Sequence, residues 1–243
     1  MIEVRFLVLF FIAFVYGQVE LPEYDANEII IKNKGFTLSF NESHRQSNWV
    51  AYELTRAETM GTSPRTNYFL VDPQLPGLCA LPTDYKGTDY DRGHLAPAAD
   101  MAWSKVTMKE SFYMSNISPQ HYSFNRGIWK KLEKLVRRWA SEYESIHIAT
   151  AGILTADLDK IGRKNDVSVP EKYYKVILDY KEPELKAIGF ILPNKKIKQP
   201  LQNFVFTVDH IEELTGINFF HSLPHDVEED LESKSDLNSW IWD

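Results

Sequence analysis

The 243-residue chain contains a single cysteine, Cys79, which excludes an intramolecular disulfide and leaves stability to a packed core. With no CxxC pair and no neighbouring histidine, Cys79 reads as a small buried hydrophobe rather than a metal ligand or nucleophile. No apolar run reaches the roughly 20 residues that a membrane-spanning helix needs. Internal repeats, low-complexity tracts and Gly/Ser linkers are also missing, which argues against a solenoid or two tethered domains. HExxH, paired CxxC and DxDxDG patterns are absent, and with them the common zinc and calcium motifs. There is no surplus of positive charge either: Lys and Arg total 27 against 34 Asp and Glu, a net charge of −7. Taken as a sum, that charge disfavours a nucleic-acid partner.

What is present describes an ordinary globular protein, with 44% hydrophobic and 25% charged residues. The length suits one well-buried domain. At the N-terminus, Arg5 precedes a 12-residue apolar run from Phe6 to Gly17, followed by polar sequence. That pattern predicts a secretory signal peptide over residues 1–17, cleaved before Gln18, and hence a secreted or periplasmic protein with no membrane contact after cleavage. Residues 18–243 then form a single domain, with its core at about 28–225 and an acidic, solvated tail over 226–243. Charge is uneven: the tail collects Asp and Glu, while Lys and Arg crowd residues 126–138.

Segments rich in β-branched and aromatic residues predict strands at EIIIK (28–32), GFTLSF (35–40), NWVAYEL (48–54), SFYMSNI (111–117), IHIATAG (146–152), YYKVILDY (173–180), LKAIGFIL (185–192) and NFVFTV (203–208). Residues 60–90, dense in Gly, Pro, Asp and Thr, read as a long irregular excursion. From Asn125 onward, Ile128, Trp129, Leu132, Leu135, Val136, Trp139 and Tyr143 recur at helical spacing within an arc of roughly 120°. Lys130, Lys131, Lys134, Arg137 and Arg138 fall outside it. A shorter helix is expected at DHIEELTG, capped by Asp209 and ended by Gly216. Strands with one long amphipathic helix predict an α+β fold with a mixed, largely antiparallel sheet.

Chemistry concentrates in DYDRGHLAPAADM (89–101). Within it Asp91, Arg92, Gly93 and His94 combine a carboxylate, a planar donor fork suited to phosphate, a permissive backbone position and an imidazole that titrates near neutrality. Alone, such a tetrad is as compatible with a surface turn. Downstream, NISPQHYSFNRGIWKKLE adds the amides Asn116, Gln120 and Asn125 and the carboxylate Glu133, hard oxygen donors suited to Mg²⁺ rather than zinc. Local spacing leaves alternatives open, since Asn125 can cap the helix and Glu133 can pair with Arg137 at i+4.

DRGHLAP followed by NISPQ....N...W..LE resembles the DNA/RNA non-specific endonucleases, the ββα-metal nucleases. Similarity extends through WVAYELT, the Arg65 to Phe69 segment, VPEKYYKVILDY, AIGFILPN and HIEELTGINFF, most of residues 35–223. The resemblance implies a ββα-metal site in which His94 is the general base and Asn125 the direct protein ligand to Mg²⁺, with Mn²⁺ as the alternative ion. By the same resemblance Glu133 lies near the metal and its waters, Arg92 and Arg65 contact the phosphate, Asn116 and Gln120 belong to the surrounding hydrogen-bond shell, and Asp91 supports. It implies hydrolysis of DNA and RNA to 5′-phosphate and 3′-hydroxyl ends, without sequence preference. An inhibitor protein is an expected partner of so hazardous an activity.

That chemistry is coherent. A phosphodiester is already anionic, so its hydrolysis needs a positioned base, a cation on the phosphate and neutralisation of the leaving oxygen. The basic side of the long helix, with Lys105 and Lys109, is the expected phosphate track; a solvated helix face is the bland alternative. Two other functions stay open at this level: a phosphodiesterase of the same fold acting on another phosphoester, and a nucleic-acid-binding protein that does not cut.

Overall fold

The computed structural model describes residues 18–242; the signal peptide expected over residues 1–17 lies outside the described residues. In chain order the elements are β1 (Ile29–Lys32), β2 (Thr37–Asn41), β3 (Gln46–Thr55), α1 (Arg56–Thr59), β4 (Tyr90–His94), α2 (Lys105–Ser111), β5 (Ile117–His121), α3 (Tyr122–Phe124) and α4 (Lys130–Glu142). They continue with β6 (Ser145–Gly152), β7 (Lys160–Ile161), β8 (Val167–Ser168), β9 (Lys172–Asp179), β10 (Lys186–Pro193), β11 (Val205–Phe206), α5 (Val208–Thr215) and α6 (His225–Glu232). Seven strands make one sheet in the order β1-β2-β3-β6-β9-β10-β11, antiparallel at every pairing. The α+β architecture expected from the sequence is the observed one.

The interior strand β9 is buried from Tyr173 to Asp179, which explains its nearly continuous apolar run: a strand covered on both faces has no polar side to show. Neighbouring residues of β10 show what covers those faces. A Cβ on Gly189 would lie 2.5 Å from the Cδ1 of Ile211 in α5, so the missing side chain is what lets α5 approach. Phe190 instead stacks on Trp139 of α4, with ring centroids 6.2 Å apart. Successive strand residues point to opposite faces, so α4 and α5 cover opposite sides of the sheet.

The apolar arc read from the sequence is the buried face of the long helix: Trp129, Leu132, Val136 and Trp139 are all 1% exposed or less. Trp139 is the hub. It meets Trp240 at 4.4 Å and donates from Nε1 to the carbonyl of Ile241 at 2.6 Å. Trp139→Ala is therefore expected to cost about 3–5 kcal/mol, the range for emptying a buried tryptophan site, read as a lower urea midpoint.

The differences from the sequence reading have local causes. SFYMSNI is not a strand: Ser111 ends α2, and residues 114–116 form a 3₁₀ turn before β5. Asn116 is the reason, because its Nδ2 donates to the carbonyls of Ala96 and Ser111 while its Oδ1 accepts from Ala96 N, side-chain bonds that replace a strand ladder. NFVFTV contributes only the two residues of β11. Thr207, not Asp209, caps α5, accepting from His210 N, while Gly216 ends that helix with φ 69° as expected. The acidic tail departs from the solvated picture, since α6 and Trp240 pack back on the core with Leu231 and Trp240 buried. No helix among the described residues is long and apolar enough to cross a membrane.

Candidate active site

β4 and β5 form an antiparallel hairpin, with Asp91 opposite Gln120 and His94 opposite Ile117. The chain then runs straight into the helical stretch Tyr122–Glu142, so two strands and a helix frame one site. Asp91 to His94 is thus strand rather than turn. Gly93 serves space: a Cβ there would sit 2.2 Å from the Gln120 carboxamide, which lies across the glycine. Helix entry is capped by His121, whose ring accepts from Ser123 N. Between α3 and α4, Asn125 to Trp129 form a wide π-type turn in which Gly127 leaves helical geometry (φ −102°, ψ −111°). Such turns re-aim side chains and recur at functional sites. Asn125 therefore stands within the helical run, not at its cap.

His94 is 8% exposed and packed between two rings, at 5.6 Å from Phe69 and edge-on at 4.7 Å to Phe112. Its Nε2 has no hydrogen-bond partner. The same two rings carry the arginines: Arg92 lies over Phe69 at 4.2 Å and Arg65 over Phe112 at 5.1 Å. Burial, then the positive charges of Arg65 and Arg92, push the His94 pKa down to about 3. The ring is consequently neutral at physiological pH, with a lone pair available to take a proton.

Asp91 is tied down. Arg126 grips it in bidentate fashion (2.8 and 2.6 Å), and Asn125 Nδ2 donates to it at 3.0 Å. Burial alone would raise the Asp91 pKa, but the hydrogen bonds from Arg126 and Asn125 and the charges of Arg126 and Arg92 outweigh it and hold the carboxyl below the ordinary range. Fixing the Asn125 nitrogen in this way fixes where its oxygen stands, and no hydrogen bond to that oxygen occurs among the described residues.

Glu133 joins the site one helical turn after Trp129. It does not pair with Arg137, which instead donates to Asp100 at 2.6 Å; Tyr52 donates to the other Asp100 oxygen at 2.8 Å. Burial and the Asp100 charge raise the Glu133 pKa, opposed by Lys175, Arg137 and Arg65. Lys175, on β9, is fully buried without a hydrogen bond to Nζ, 5.0 Å above the Trp129 ring. Burial lowers its pKa, and Glu133 and Asp100 act against that. A buried cation beneath the helix thus faces a carboxylate at its surface.

His94, Arg92, Arg65, Asn125 and Glu133 line one cleft of about 370 Å³. Arg65, Arg92, Asn125 and Arg126 continue into a neighbouring cleft of about 560 Å³ with Tyr90 and Lys86. Asp91 borders this second cleft. Asn116 and Gln120 are fully buried behind the site: Asn116 braces the loop after His94, and both amide atoms of Gln120 are without partners. Sequence reading missed Phe112, Tyr52, Asp100 and Lys175 as contributors. Asp100 and Lys175 sat in motifs already singled out, but nothing local marked them as buried. Lys130, Lys131, Lys134 and Arg138 are exposed, as are Lys105 and Lys109. Cys79 is buried, its thiol pushed up to about 12 by burial, which leaves it inert.

The arrangement offers hard oxygen donors, a neutral imidazole and two arginines at one opening. Residues 16–226 match the family model described as DNA/RNA non-specific endonuclease. The chain is 33% identical over 225 residues to the zebrafish (Danio rerio) protein named nuclease EXOG, mitochondrial, covering 86% of this chain and 65% of that one. It is 32% identical over 210 residues to nuclease C1 of Cunninghamella echinulata var. echinulata, covering 79% and 83%. The solved EndoG/EndoGI complex, described as showing the mechanism of EndoG inhibition, contains a chain that superposes with TM-score 0.78 at 28% identity, covering 84% of this chain and 89% of that one. The chain spans about two thirds of the length of the zebrafish and mouse EXOG relatives, 65% and 63% respectively. These comparisons also correct the expected secreted or periplasmic destination, because the EXOG relatives and the fission yeast relative are named as mitochondrial.

Proposed function

Because this chain belongs to the DNA/RNA non-specific endonuclease family, matching it over residues 16–226, we propose that its cleft hydrolyses the phosphodiester bonds of DNA and RNA. The observation that carries the reading is the buried, neutral imidazole of His94 in a cleft lined also by Arg65 and Arg92. A neutral imidazole with a free lone pair beside two fixed cations suits one task well: taking a proton from water next to a bound phosphate.

In this reading Arg92 and Arg65 hold the phosphate, each steadied by the aromatic ring beneath it. His94 takes the proton of the attacking water. Asn125 is the protein ligand for a divalent metal, Mg²⁺ or Mn²⁺, with Glu133 beside it. The donors fit such an ion: both are oxygens, and Asn125 has its nitrogen committed to Asp91, which leaves the oxygen to bind. When bound, the metal supplies positive charge to the phosphate and to the departing 3′ oxygen. A single protein ligand also suits an ion that keeps most of its water. The expected products carry 5′-phosphate and 3′-hydroxyl ends. Arginines and lysines suited to phosphate line the clefts, so cleavage is expected without sequence preference, and the exposed lysines of α4 and α2 extend the track. The names of the EXOG relatives favour a mitochondrial destination, and the EndoG complex favours an inhibitor protein as a partner.

The direct test incubates purified protein with supercoiled plasmid and with RNA, in Mg²⁺, in Mn²⁺ and in chelator. Both polymers are expected to be cut with metal and spared with chelator; two intact polymers under every divalent ion would reject the proposal. Cleavage at sub-saturating substrate should also fall steeply between 50 and 200 mM salt, because each neutralised phosphate releases counterions.

The pH dependence has a definite sign. The base works only when neutral, and its pKa lies well below the ordinary value of about 6.5. The acid limb of kcat/KM is therefore expected below pH 6.5, with activity persisting into mildly acidic buffer. Arg92→Gln removes one of the charges that lower the pKa, so it should move that limb to higher pH while raising KM. A limb at 6.5 in both proteins would count against the role of the arginines.

A further inference from the structure

On the far side of the sheet from α4, helices α5 and α6 bring three carboxylates together. Asp209 and Glu212 stand three residues apart on α5, and Glu232 is the last residue of α6. One carboxylate oxygen from each lies within 4.8 Å of the others. Acidic clusters are common on protein surfaces, and proximity alone would mean little. Glu232 is a different matter: it is only 4% exposed, and its Oε1 is buried with no hydrogen-bond partner. A buried carboxylate in that condition is costly unless something neutralises it.

Among the described residues no basic group acts on it. Burial first, and then the charges of Glu212, Glu228 and Asp209, push the Glu232 pKa up to about 9. Glu212 is raised to about 7, first by burial and then by Asp209 and Glu228, against the backbone hydrogen bond that it accepts from Phe219 N at 2.6 Å. That bond occupies one oxygen of Glu212 and holds the carboxylate in place. We propose that Asp209, Glu212 and Glu232 form a second cation site, separate from the cleft, that binds a divalent ion of the Ca²⁺ type.

The ligand chemistry selects the ion. All three donors are hard carboxylate oxygens, without the His or Cys that zinc sites use. Three carboxylates from two helices, completed by water, match the variable geometry of Ca²⁺ better than Mg²⁺, which is usually held by one or two carboxylates in a strict octahedron. The ion would clamp α6 to α5, and with it the chain end. Ser235 already tethers that end by donating to the Phe206 carbonyl at 2.7 Å, and Trp240 packs on Trp139. Cation binding is thereby linked to the packing of the helix that carries Glu133.

The site does not depend on the nuclease reading, and its test reads stability rather than cleavage. Metal-stripped wild type, Asn125→Ala, Glu232→Gln and Asp209→Asn are melted at pH 7 across a CaCl₂ titration. Wild type and Asn125→Ala should gain about 5–10 °C in Tm at a hundredfold excess over Kd, saturably. Glu232→Gln and Asp209→Asn should lose most of that gain, with plasmid cleavage in Mg²⁺ retained if the cleft is a nuclease site. Should Glu232→Gln fail to fold, Asp209→Asn carries the comparison. Equal Ca²⁺ stabilisation in wild type and the folded α5 or α6 variants would overturn the proposal. So would a gain that vanishes only in Asn125→Ala, which places the ion in the cleft. A wild type indifferent to Ca²⁺ and stabilised by Glu232→Gln would overturn it in favour of a shared proton.

Discussion

His94→Ala is expected to lower the rate of plasmid and RNA cleavage by about two to four orders of magnitude, the range for removing a positioned general base. The loss should fall on kcat more than on KM, because the ring is recessed between Phe69 and Phe112 while the proposed phosphate-holding groups, Arg92 and Arg65, remain. Single-turnover rates and a filter-binding Kd measured in chelator separate these effects. The fold should survive, since Nε2 makes no protein hydrogen bond that the alanine would break. An unaltered kcat would show that His94 is not the base. Full binding with no turnover is the outcome that a base predicts and a merely structural histidine does not.

Asn125→Ala is expected to have an effect of similar size by another route. If Asn125 is the proposed ligand, its loss removes a cation worth several kcal/mol of charge stabilisation in the transition state, about a thousandfold in rate by the usual conversion. The dependence on metal concentration should move with it: half-maximal activity should need far more Mg²⁺ or Mn²⁺ than in wild type. Asn125→Asp makes the assignment sharper. It keeps an oxygen but loses the amide that donates to Asp91 and sets two carboxylates against each other, so it should restore metal affinity less than oxygen count alone suggests. A rate loss in Asn125→Ala with unchanged metal dependence would assign this residue to the support of Asp91 instead.

Much of the fold was legible because its signals are local. The 3.6-residue spacing of Ile128, Trp129, Leu132, Val136 and Trp139 marks a one-sided helix whatever surrounds it, and the strands β1, β2, β3, β6, β9 and β10 follow their β-branched and aromatic runs. SFYMSNI failed for a reason that local pattern cannot show. Its apolar residues look like a strand, but the Asn116 side chain takes up backbone groups of Ala96 and Ser111. The tail failed similarly: its Asp and Glu suggest a solvated segment, whereas Trp240 and Leu231 hold it against the core.

For the site, residue type and order were readable. His94, Arg92, Asn125 and Glu133 line the cleft, and Asp91 reaches them through Asn125 and Arg126. Their electrical states were not. Asp91 to His94 held a carboxylate, a guanidinium and an imidazole as possibilities; the sequence by itself determined which chemical groups were available, and the helical and strand periods that bring them near one another.

Only the tertiary structure decided what those groups are. The His94 ring is neutral because burial between Phe69 and Phe112 strips its water and Arg65 stands beside it; Glu133 is raised by burial and the Asp100 charge, with Lys175 pulling it back. These partners stand 18 to 42 residues away along the chain. The physical reason is that periodicity is a property of the chain's own backbone, whereas desolvation and charge pairing depend on which distant side chains displace water from a group.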